Sequence, residues 1–254
     1  MSSKRYLTKS RLKEGLECPT KLFYSKNSEY QNNQKDDPFL ESLAEGGYQV
    51  EELAKFLISN QPYQDNITVE SLDYEESLKM TKLKLQNEIV SIAQPAFLFK
   101  NLFIRVDLLR KDKNSLTIYE VKSKSWGYEG VDDQEFRVFI KEYKRGLNKG
   151  KRVIDPNWKF YMYDIAFQRY VVKNLFPEME VKTNLVLADK LTKTSTDGLN
   201  QFFKIENKEG RKSVKVKDDL HISELGRLPL KTVNVDQVCD FIESQETQGK
   251  SFEN

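Results

Sequence analysis

The sequence predicts an α/β or α+β fold in which a small central sheet is flanked by helices. Amphipathic segments with helical spacing precede a block of three strand-like runs, and a long aromatic-rich helix follows this block. Elements in this order form a sheet with helices packed against it, because each apolar face must be covered by another element. Hydrophobic residues make up 38% of the 254 residues, which is enough for a substantial core.

Apolar residues at helical spacing, together with residues that favour helix ends, predict the helices. Thr8 or Ser10 can cap the first helix, Pro19 opens the second, and Pro38 opens the third after the polar connector QNNQKDD. Pro177 ends the aromatic-rich helix. Helices are therefore expected in two pieces between residues 6 and 30, and at 38–59, 73–91, 158–176 and about 235–243.

Short runs rich in β-branched and aromatic residues predict the strands. The last two runs of the central block are separated by KDKN, whose residues favour a turn, so these runs are expected to form a hairpin. The stretch 126–157 is mixed and polar. Strands are expected at 94–100, 102–110, 115–123 and 181–191, with a further strand pair at FFKIEN (202–207) and SVKVKD (213–218).

The composition excludes several classes of protein. The net charge of +2 is close to neutral, so any surface that binds nucleic acid must be local. No run approaches the roughly 20 apolar residues of a membrane span, and the charged N-terminus lacks the apolar segment of a secretory signal. A cytoplasmic protein without a membrane partner is therefore expected.

Cysteine and histidine are too few for several kinds of site. Cys18 and Cys239 cannot form a disulfide framework or a four-cysteine cluster, so free thiols are expected. His221 is the single histidine, which excludes a zinc site built from several histidines, and a solvated or capping role is expected for it. No Walker-type loop and no G-x-G-x-x-G motif occurs, so no nucleotide cofactor is expected.

The run L-T-I-Y-E-V-K places two charges on an apolar strand face. Side chains alternate between the two faces of a strand, so Glu120 and Lys122 point the same way as Leu116 and Ile118. The two charges therefore continue an apolar face instead of lying on the opposite, solvent side. This placement needs an explanation.

The predicted hairpin brings a second carboxylate to this face. A four-residue loop, DKNS, sets a register in which Asp107 lies directly opposite Glu120, and Arg105 lies opposite Lys122. Directly opposed side chains have Cβ atoms about 4.5–5.5 Å apart. Two carboxylates at that separation repel each other unless a cation or a proton lies between them. This register therefore predicts a metal site.

The ligand types indicate which metal the site would hold. Two carboxylates without histidine or cysteine favour a hard cation, namely magnesium, manganese or calcium. Lys122 could hold the attacking water and offset the negative charge of a phosphate, so the set suits metal-assisted phosphodiester hydrolysis. The alternative is an ordinary hairpin that ends in solvent, in which Asp107 forms a salt bridge with Arg105 or Lys122.

The hairpin sequence V-D-L-L, a short turn and I-Y-E-V-K-S resembles the core motif of the PD-(D/E)XK nuclease superfamily. The likeness is to its RecB-type branch, which includes the CRISPR adaptation nucleases. The opening of that branch resembles the N-terminal segment of this chain, L-T-K-S-R-L-K-E-G-L-E-C-P-T-K-L-F-Y. The segments A-E-G-G-Y-Q-V-E-E-L-A-K and D-G-L-N-Q-F-F-K-I resemble an uncharacterised bacterial domain family assigned to this superfamily. The likeness covers about residues 6–210.

The resemblance implies an α/β fold with a restriction-endonuclease-like core, in which a central mixed sheet lies between helices. It also implies dependence on a divalent metal, Mg²⁺ or alternatively Mn²⁺, and DNA as the substrate. Asp107 and Glu120 are assigned as metal ligands and Lys122 as the catalytic lysine. A further acidic ligand from a helix could fall on Glu45 or Glu51, and Glu45, beside two glycines, is preferred.

The chain departs from this branch in two features. Iron–sulfur members use four cysteines, whereas Cys239 alone accompanies Cys18 here, so no cluster is expected. The branch also has a Q-x-x-x-Y helix behind the site, where this chain has Asp164 and Gln168 on an apolar stripe. These two groups are expected either to contact Lys122 or the DNA backbone, or to hydrogen-bond to each other, and Gln168 is a candidate for substrate binding.

Basic residues that follow the hairpin are candidates for contact with DNA phosphates. The stretch KEYKRGLNKGKR at 141–152 carries six basic residues in twelve, and contacts from lysine and arginine supply most sequence-independent affinity. Lys124, Lys144 and Arg145 are the candidate residues. A solvated loop is the alternative for the basic stretch.

These observations predict a divalent-metal-dependent deoxyribonuclease with an exonuclease-like mode. The alternative is a non-catalytic nucleic-acid-binding or recruitment module of a longer nuclease system, with a partner protein or a further domain. Single- and double-stranded DNA both remain open as substrates. One nuclease-like domain is expected over 1–244, with a core at about 38–191, a C-terminal extension at 192–244 and a disordered tail at 245–254.

Overall fold

The structure is a computed structural model that describes residues 5–25, 29–30, 38–58, 66–128, 135–208 and 211–245. It confirms the predicted α/β class, because a central mixed sheet lies between helices. The tail predicted at 245–254 lies, apart from its first residue, outside the described residues. The α-helices are α1 (Lys9–Glu17), α2 (Pro19–Tyr24), α3 (Pro38–Ile58), α4 (Tyr74–Lys84), α5 (Glu135–Phe139), α6 (Lys159–Leu175) and α7 (Asp236–Glu243).

The strands form one large sheet and three two-stranded sheets. In chain order they are β1 (Asn66–Thr68), β2 (Ile89–Ala93), β3 (Ala96–Phe99), β4 (Leu102–Arg105), β5 (Leu108–Asp112), β6 (Ser115–Trp126), β7 (Ile140–Glu142), β8 (Arg152–Ile154), β9 (Glu180–Asp189), β10 (Phe203–Lys208), β11 (Arg211–Val216) and β12 (Leu230–Asn234). Short 3₁₀ turns lie at Leu199–Phe202 and Ile222–Leu225.

The central sheet has six strands in the order β1, β2, β5, β6, β9, β12. The pairs β1–β2 and β6–β9 are parallel, and the other three pairs are antiparallel. Strand β12, from the segment predicted as a C-terminal extension, is therefore one edge of this sheet. The hairpins β3–β4, β7–β8 and β10–β11 lie outside it, and the last is the strand pair that the sequence predicts.

Helices cover both faces of the sheet around β6. On one face Leu116 and Ile118 are fully buried in a cluster with Ile165 of α6. On the other face Val121 packs in a cluster with Ala54 of α3. The two helices therefore enclose β6, whose buried face towards α6 is the face on which the sequence places two charges.

The helix predicted at 73–91 is too long. Helix α4 ends at Lys84, and the run I-V-S-I-A forms strand β2 in the central sheet. Its two isoleucines and valine favour an extended backbone, and four of its five residues are buried. Packing in the sheet thus outweighs the helical spacing that this run shares with the segment before it.

The strand predicted at 102–110 is two strands, β4 and β5, that belong to different sheets. The chain changes direction at Val106, whose N–H donates to the carbonyl of Pro95 at 3.0 Å, and at Asp107, whose carbonyl accepts from Gln94 N at 2.9 Å. Arg105 consequently pairs with Ala96 in the small hairpin. The prediction that Arg105 lies opposite Lys122 is therefore wrong.

No helix within the described ranges is long and apolar enough to cross a membrane.

Candidate functional site

The β5–β6 hairpin has the register that the sequence predicts. Lys111 pairs with Leu116, and the ladder continues to Leu108 opposite Tyr119. Asp107 immediately precedes β5, and its Oδ2 accepts a hydrogen bond from the backbone N–H of Val121 at 2.9 Å. Because side chains alternate along the hairpin, the carboxylates of Asp107 and Glu120 lie on the same face, towards α6.

The ammonium group of Lys9 lies where these two carboxylates converge. Its Nζ is 2.9 and 3.0 Å from the two carboxylate oxygens of Glu120 and 3.4 Å from Oδ1 of Asp107. The same Nζ is 3.3 Å from the carbonyl oxygen of Arg105. Sequence reasoning did not single out Lys9, although it lies in the opening segment that resembles the RecB-type branch, because it precedes both acids by about a hundred residues.

Backbone contacts hold Lys9 in this position. Leu7 forms a parallel bridge with Leu102, in which Leu7 N donates to Asn101 O at 2.8 Å and Leu7 O accepts from Phe103 N at 2.9 Å. Helix α1 starts two residues later, and the hydroxyl oxygen of Thr8 accepts from Arg11 N at 3.5 Å as the predicted N-cap. The first residue of α1 is thereby placed beside the end of β4.

Three polar side chains complete the surroundings of Glu120, which is fully buried. Lys122 forms an ion pair with Glu120, and its Nζ is 3.6 Å from Oδ2 of Asp164 on α6. Gln168, one turn further along α6, donates from Nε2 to Glu120 Oε2 at 2.8 Å and to Asp164 Oδ1 at 3.1 Å. The structure contains both contacts expected of Asp164 and Gln168: Asp164 lies near Lys122, and Gln168 donates a hydrogen bond to Asp164.

Gln168 has no exposed surface. As a candidate for substrate binding it could contact DNA only if the site opened, and the contact that it makes is with Glu120. Its Oε1 is buried without a hydrogen-bond partner within the described part of the chain. A buried amide oxygen in this state favours a water molecule or a hydrated cation nearby.

The structure separates the two candidate helix acids. Glu45 of α3 forms an ion pair with Lys212 of β11, whereas Glu51 accepts a hydrogen bond from the side chain of Gln94. The backbone N–H of Gln94 in turn donates to Asp107 O at 2.9 Å. The two acids are six positions apart, which corresponds to about 9 Å along the helix. Glu51, rather than the preferred Glu45, is therefore the acid of α3 beside Asp107.

Gln94 has an uncommon backbone conformation. Its φ of 57° lies in the left-handed region, which residues other than glycine rarely adopt. This conformation turns the chain from β2 into β3 and lets one residue contact both Glu51 and Asp107. Strained backbone of this kind is concentrated at functional sites, where the surrounding structure holds it in place.

Burial and neighbouring charges set the protonation of the site. Burial, together with the charge of Glu120, raises the pKa of Asp107. Burial opposes ionisation of Glu120 as well, but the ammonium groups of Lys122 and Lys9 outweigh it and hold the pKa of Glu120 well below its usual range. Burial and the charge of Glu120 raise the pKa of Asp164 to about 7.

Burial and the same neighbouring charges also shift the pKa values of Lys122 and Glu51. Burial opposes the charged form of Lys122, but the carboxylates of Glu120 and Asp107 raise its pKa, so that it is protonated at neutral pH. Burial, with a contribution from the charge of Asp107, raises the pKa of Glu51 to about 7. Neutral and ionised forms of Glu51 therefore coexist near neutral pH.

The donor set is compatible with one hard divalent cation. The cluster contains four carboxyl groups and two ammonium groups, so full ionisation leaves two negative charges. Among the described residues no group of three or more acidic, histidine or cysteine side chains could hold a metal alone. Magnesium needs fewer protein ligands, since it often binds through one or two carboxylates, water and substrate phosphate. Asp107 and Glu120, which already converge on one cationic group, fit this type of site.

The remaining candidates lie away from the acids. Lys124 lies over the rings of Trp158 and Tyr161, with Nζ 4.8 and 5.7 Å from the ring centroids. Lys144 and Arg145 are exposed in the loop that joins β7 to β8. Contact of these three basic residues with DNA stays a prediction.

The cysteines and the histidine occupy separate places. Cys18 is an exposed free thiol between α1 and α2, and Cys239 is a buried free thiol in α7. Burial raises the pKa of Cys239 to about 12, so this thiol stays protonated. His221 caps the 3₁₀ turn at Ile222–Leu225. His221 is exposed, and its backbone N–H donates to Glu224 Oε1 at 3.0 Å, so it is a solvated residue at the N-cap position, within the two roles expected for it.

A cleft of about 760 Å³ opens onto Asp107 and Lys9. Its lining is basic and aromatic, since it includes Arg5, Arg11, Arg105, Tyr6, Tyr74 and Phe103. The ring centroids of Tyr74 and Phe103 are 4.4 Å apart, and those of Tyr6 and Tyr74 are 5.4 Å apart. Among the described residues that line this cleft, Asp107 is the one acidic residue.

Comparison with known proteins gives no assignment for the chain: no family model matches it, and no curated protein matches it.

Proposed function

We propose that this protein is a divalent-metal-dependent nuclease that hydrolyses phosphodiester bonds in DNA. The observation that supports the proposal best is the convergence of Asp107 and Glu120 on a single cationic group, with Lys122 against Glu120. A hairpin with a purely structural role does not require two carboxylates to converge in this way beside a lysine on a buried strand face. The resemblance of the hairpin sequence to the PD-(D/E)XK superfamily points in the same direction.

Asp107 and Glu120 would hold the metal ion, which when bound would polarise a phosphoryl oxygen and lower the pKa of a water molecule. In the metal-free protein Lys122 is protonated, because the carboxylates of Glu120 and Asp107 raise its pKa. As a cation it would orient water and offset negative charge. Gln168 is a positioning residue, since its amide group fixes the carboxylate of Glu120.

The basic and aromatic cleft is the proposed path of the DNA. Arginine side chains such as Arg5 and Arg11 can neutralise phosphates, and the exposed ring of Tyr74 offers a surface on which a base can stack. The cleft reaches Asp107, so a strand bound in it would bring a phosphate to the acids. The proposal includes an exonuclease-like mode. Cleavage assays with single- and double-stranded DNA test this mode and show which of the two is the substrate.

The test compares cleavage of labelled single- and double-stranded DNA in Mg²⁺ or Mn²⁺ by the wild type and by Asp107→Asn and Lys122→Met. We expect the wild type to degrade at least one substrate and both variants to lose at least about 100-fold in rate, the scale of loss for a group that stabilises developing charge. The matched controls are Asp112→Asn, at the exposed end of the hairpin, and Lys182→Met, exposed on β9.

Equal rates for the wild type and both site variants would exclude these residues from catalysis. DNA binding without cleavage under every metal condition would instead support the alternative of a non-catalytic nucleic-acid-binding module. Retention of the wild-type melting temperature by a variant separates loss of function from loss of fold.

A further inference from the structure

Lys9 has the oxygen surroundings of a bound cation. Within the described part of the chain, five oxygen atoms lie within 4 Å of its Nζ: both carboxylate oxygens of Glu120 at 2.9 and 3.0 Å, Arg105 O at 3.3 Å, Asp107 Oδ1 at 3.4 Å and Asp164 Oδ1 at 3.8 Å. An ammonium group has three hydrogens, fewer than these acceptors. Carboxylate and backbone carbonyl oxygens are also the ligands that hard divalent cations prefer.

The ammonium group and a metal ion cannot occupy this point together. A magnesium or calcium ion bound to Asp107 and Glu120 would lie about 2.0–2.6 Å from their oxygens. Nζ of Lys9 lies 2.9 Å from Glu120 Oε2 and 3.4 Å from Asp107 Oδ1, so an ion bound to both carboxylates would lie against the ammonium group. Two positive charges in contact there would repel each other strongly in a buried site. Occupancy by Lys9 and by the metal must therefore alternate.

Lys9 can leave this point without movement of its helix. The backbone is fixed by the bridge between Leu7 and Leu102 and by the Thr8 cap. The side chain has four flexible carbons and keeps 20% of its surface exposed. Lys9 also lines the cleft that contains Arg5 and Arg11. Rotation of its side chain towards this cleft would carry the ammonium group to the proposed position of the DNA phosphate.

We propose that Lys9 is a second functional lysine of the site, which neutralises Asp107 and Glu120 in the metal-free protein and turns to a substrate phosphate when a divalent cation binds. This inference rests on the proposed function, because it takes the same two acids as metal ligands. In the metal-free protein Lys9 competes with the metal for the acids. In the loaded protein it adds positive charge to the wall of the cleft.

The first measurement is Mn²⁺ affinity, obtained from the electron paramagnetic resonance signal of free Mn²⁺ without any DNA. Lys9→Met removes the competing charge, so we expect it to bind Mn²⁺ about tenfold more tightly than the wild type, which corresponds to about 1.4 kcal/mol. Lys13→Met is the matched control, since Lys13 lies one turn along α1 with its ammonium group over the ring of Phe160, and it should bind Mn²⁺ as the wild type does.

Because Lys9→Met removes the cation that separates the acids in the metal-free fold, Lys9→Gln serves as a second neutral variant. For a marginally folded variant, the Mn²⁺-induced rise in melting temperature replaces the direct titration, because a ligand stabilises the folded state according to its affinity. Unchanged or weaker Mn²⁺ affinity in both neutral variants would overturn the competition between Lys9 and the metal.

The second measurement is the rate of DNA cleavage at saturating Mn²⁺. There we expect Lys9→Met to be at least about tenfold slower than the wild type, despite its tighter metal binding. An unchanged rate would overturn the contact with phosphate. If no form of the protein cleaves DNA but the neutral variants bind Mn²⁺ more tightly, the nuclease proposal fails while the exchange between Lys9 and the metal is supported.

Discussion

Glu51→Gln should stabilise the metal-free protein at high pH. The pKa of Glu51 is raised from 4.5 to about 7 by burial and by the charge of Asp107. For an acid whose pKa is raised by folding, the folded state binds more protons than the unfolded state between these two values, so stability falls as the pH rises through that window. Glutamine removes this dependence, and its Oε1 can still accept the hydrogen bond from Gln94.

The size of the effect follows from the pKa shift. One pKa unit corresponds to about 1.36 kcal/mol, so the shift of Glu51 sets an upper limit of about 3 kcal/mol at pH 8.5 and of about 1 kcal/mol at pH 5. The gain from Glu51→Gln should therefore grow with pH. Urea unfolding in EDTA at pH 5 and at pH 8.5 measures the free energy of unfolding of each form at both values.

Glu45→Gln is the control for this prediction. Glu45 lies on the same helix in an ion pair with Lys212, and both side chains keep about a quarter to a third of their surface exposed. Such pairs contribute about 0–1 kcal/mol, so Glu45→Gln should have a small effect that does not grow with pH. A destabilised Glu51→Gln protein at pH 8.5, or an equal gain at both pH values, would refute the placement of Glu51 in the acid cluster.

Two further predictions concern α6 and the cleft. Gln168→Leu removes a buried donor to Glu120, so it should lower the free energy of unfolding by about 1–3 kcal/mol and slow DNA cleavage. Asn174→Leu, at an exposed position on the same helix, should change neither quantity. Wild-type values for both variants would contradict the positioning role of Gln168. Tyr74→Ala should weaken binding of an unpaired oligonucleotide about tenfold, measured by fluorescence anisotropy. Tyr74→Phe keeps the ring and should bind as the wild type does. An equal loss of affinity in both variants would exclude base stacking.

The arrangement of the hairpin could be predicted from the sequence because it depends on neighbours in the chain. The alternation of side chains along β6 places Glu120 on the buried face, and the short turn after β5 sets the register that brings Asp107 to the same side. Helix ends at Thr8 and Pro19 follow from equally local preferences. These features need no knowledge of the rest of the fold.

Other features depended on contacts between distant segments. The end of the helix predicted through 73–91 gave way to β2, because its last three residues, with the two that follow them, pair with β5. Likewise, the break between β4 and β5 at Asp107 arises from backbone hydrogen bonds to Gln94 and Pro95 of another strand connection, and it moves Arg105 away from Lys122. Local propensity is weak compared with such pairing, so the pattern alone did not locate these boundaries.

The sequence by itself determined that two acids and a lysine lie on one face of the β5–β6 hairpin, since a strand alternates its side chains whatever surrounds it and the short turn sets the register. Only the tertiary structure decided which cation meets those acids and which helix acid stands beside them. Lys9 and Glu51 reach Asp107 from α1 and α3, elements far away in the chain, through packing on the ends of the central sheet. No spacing in the sequence encodes that proximity, because it arises when separate apolar surfaces are buried together.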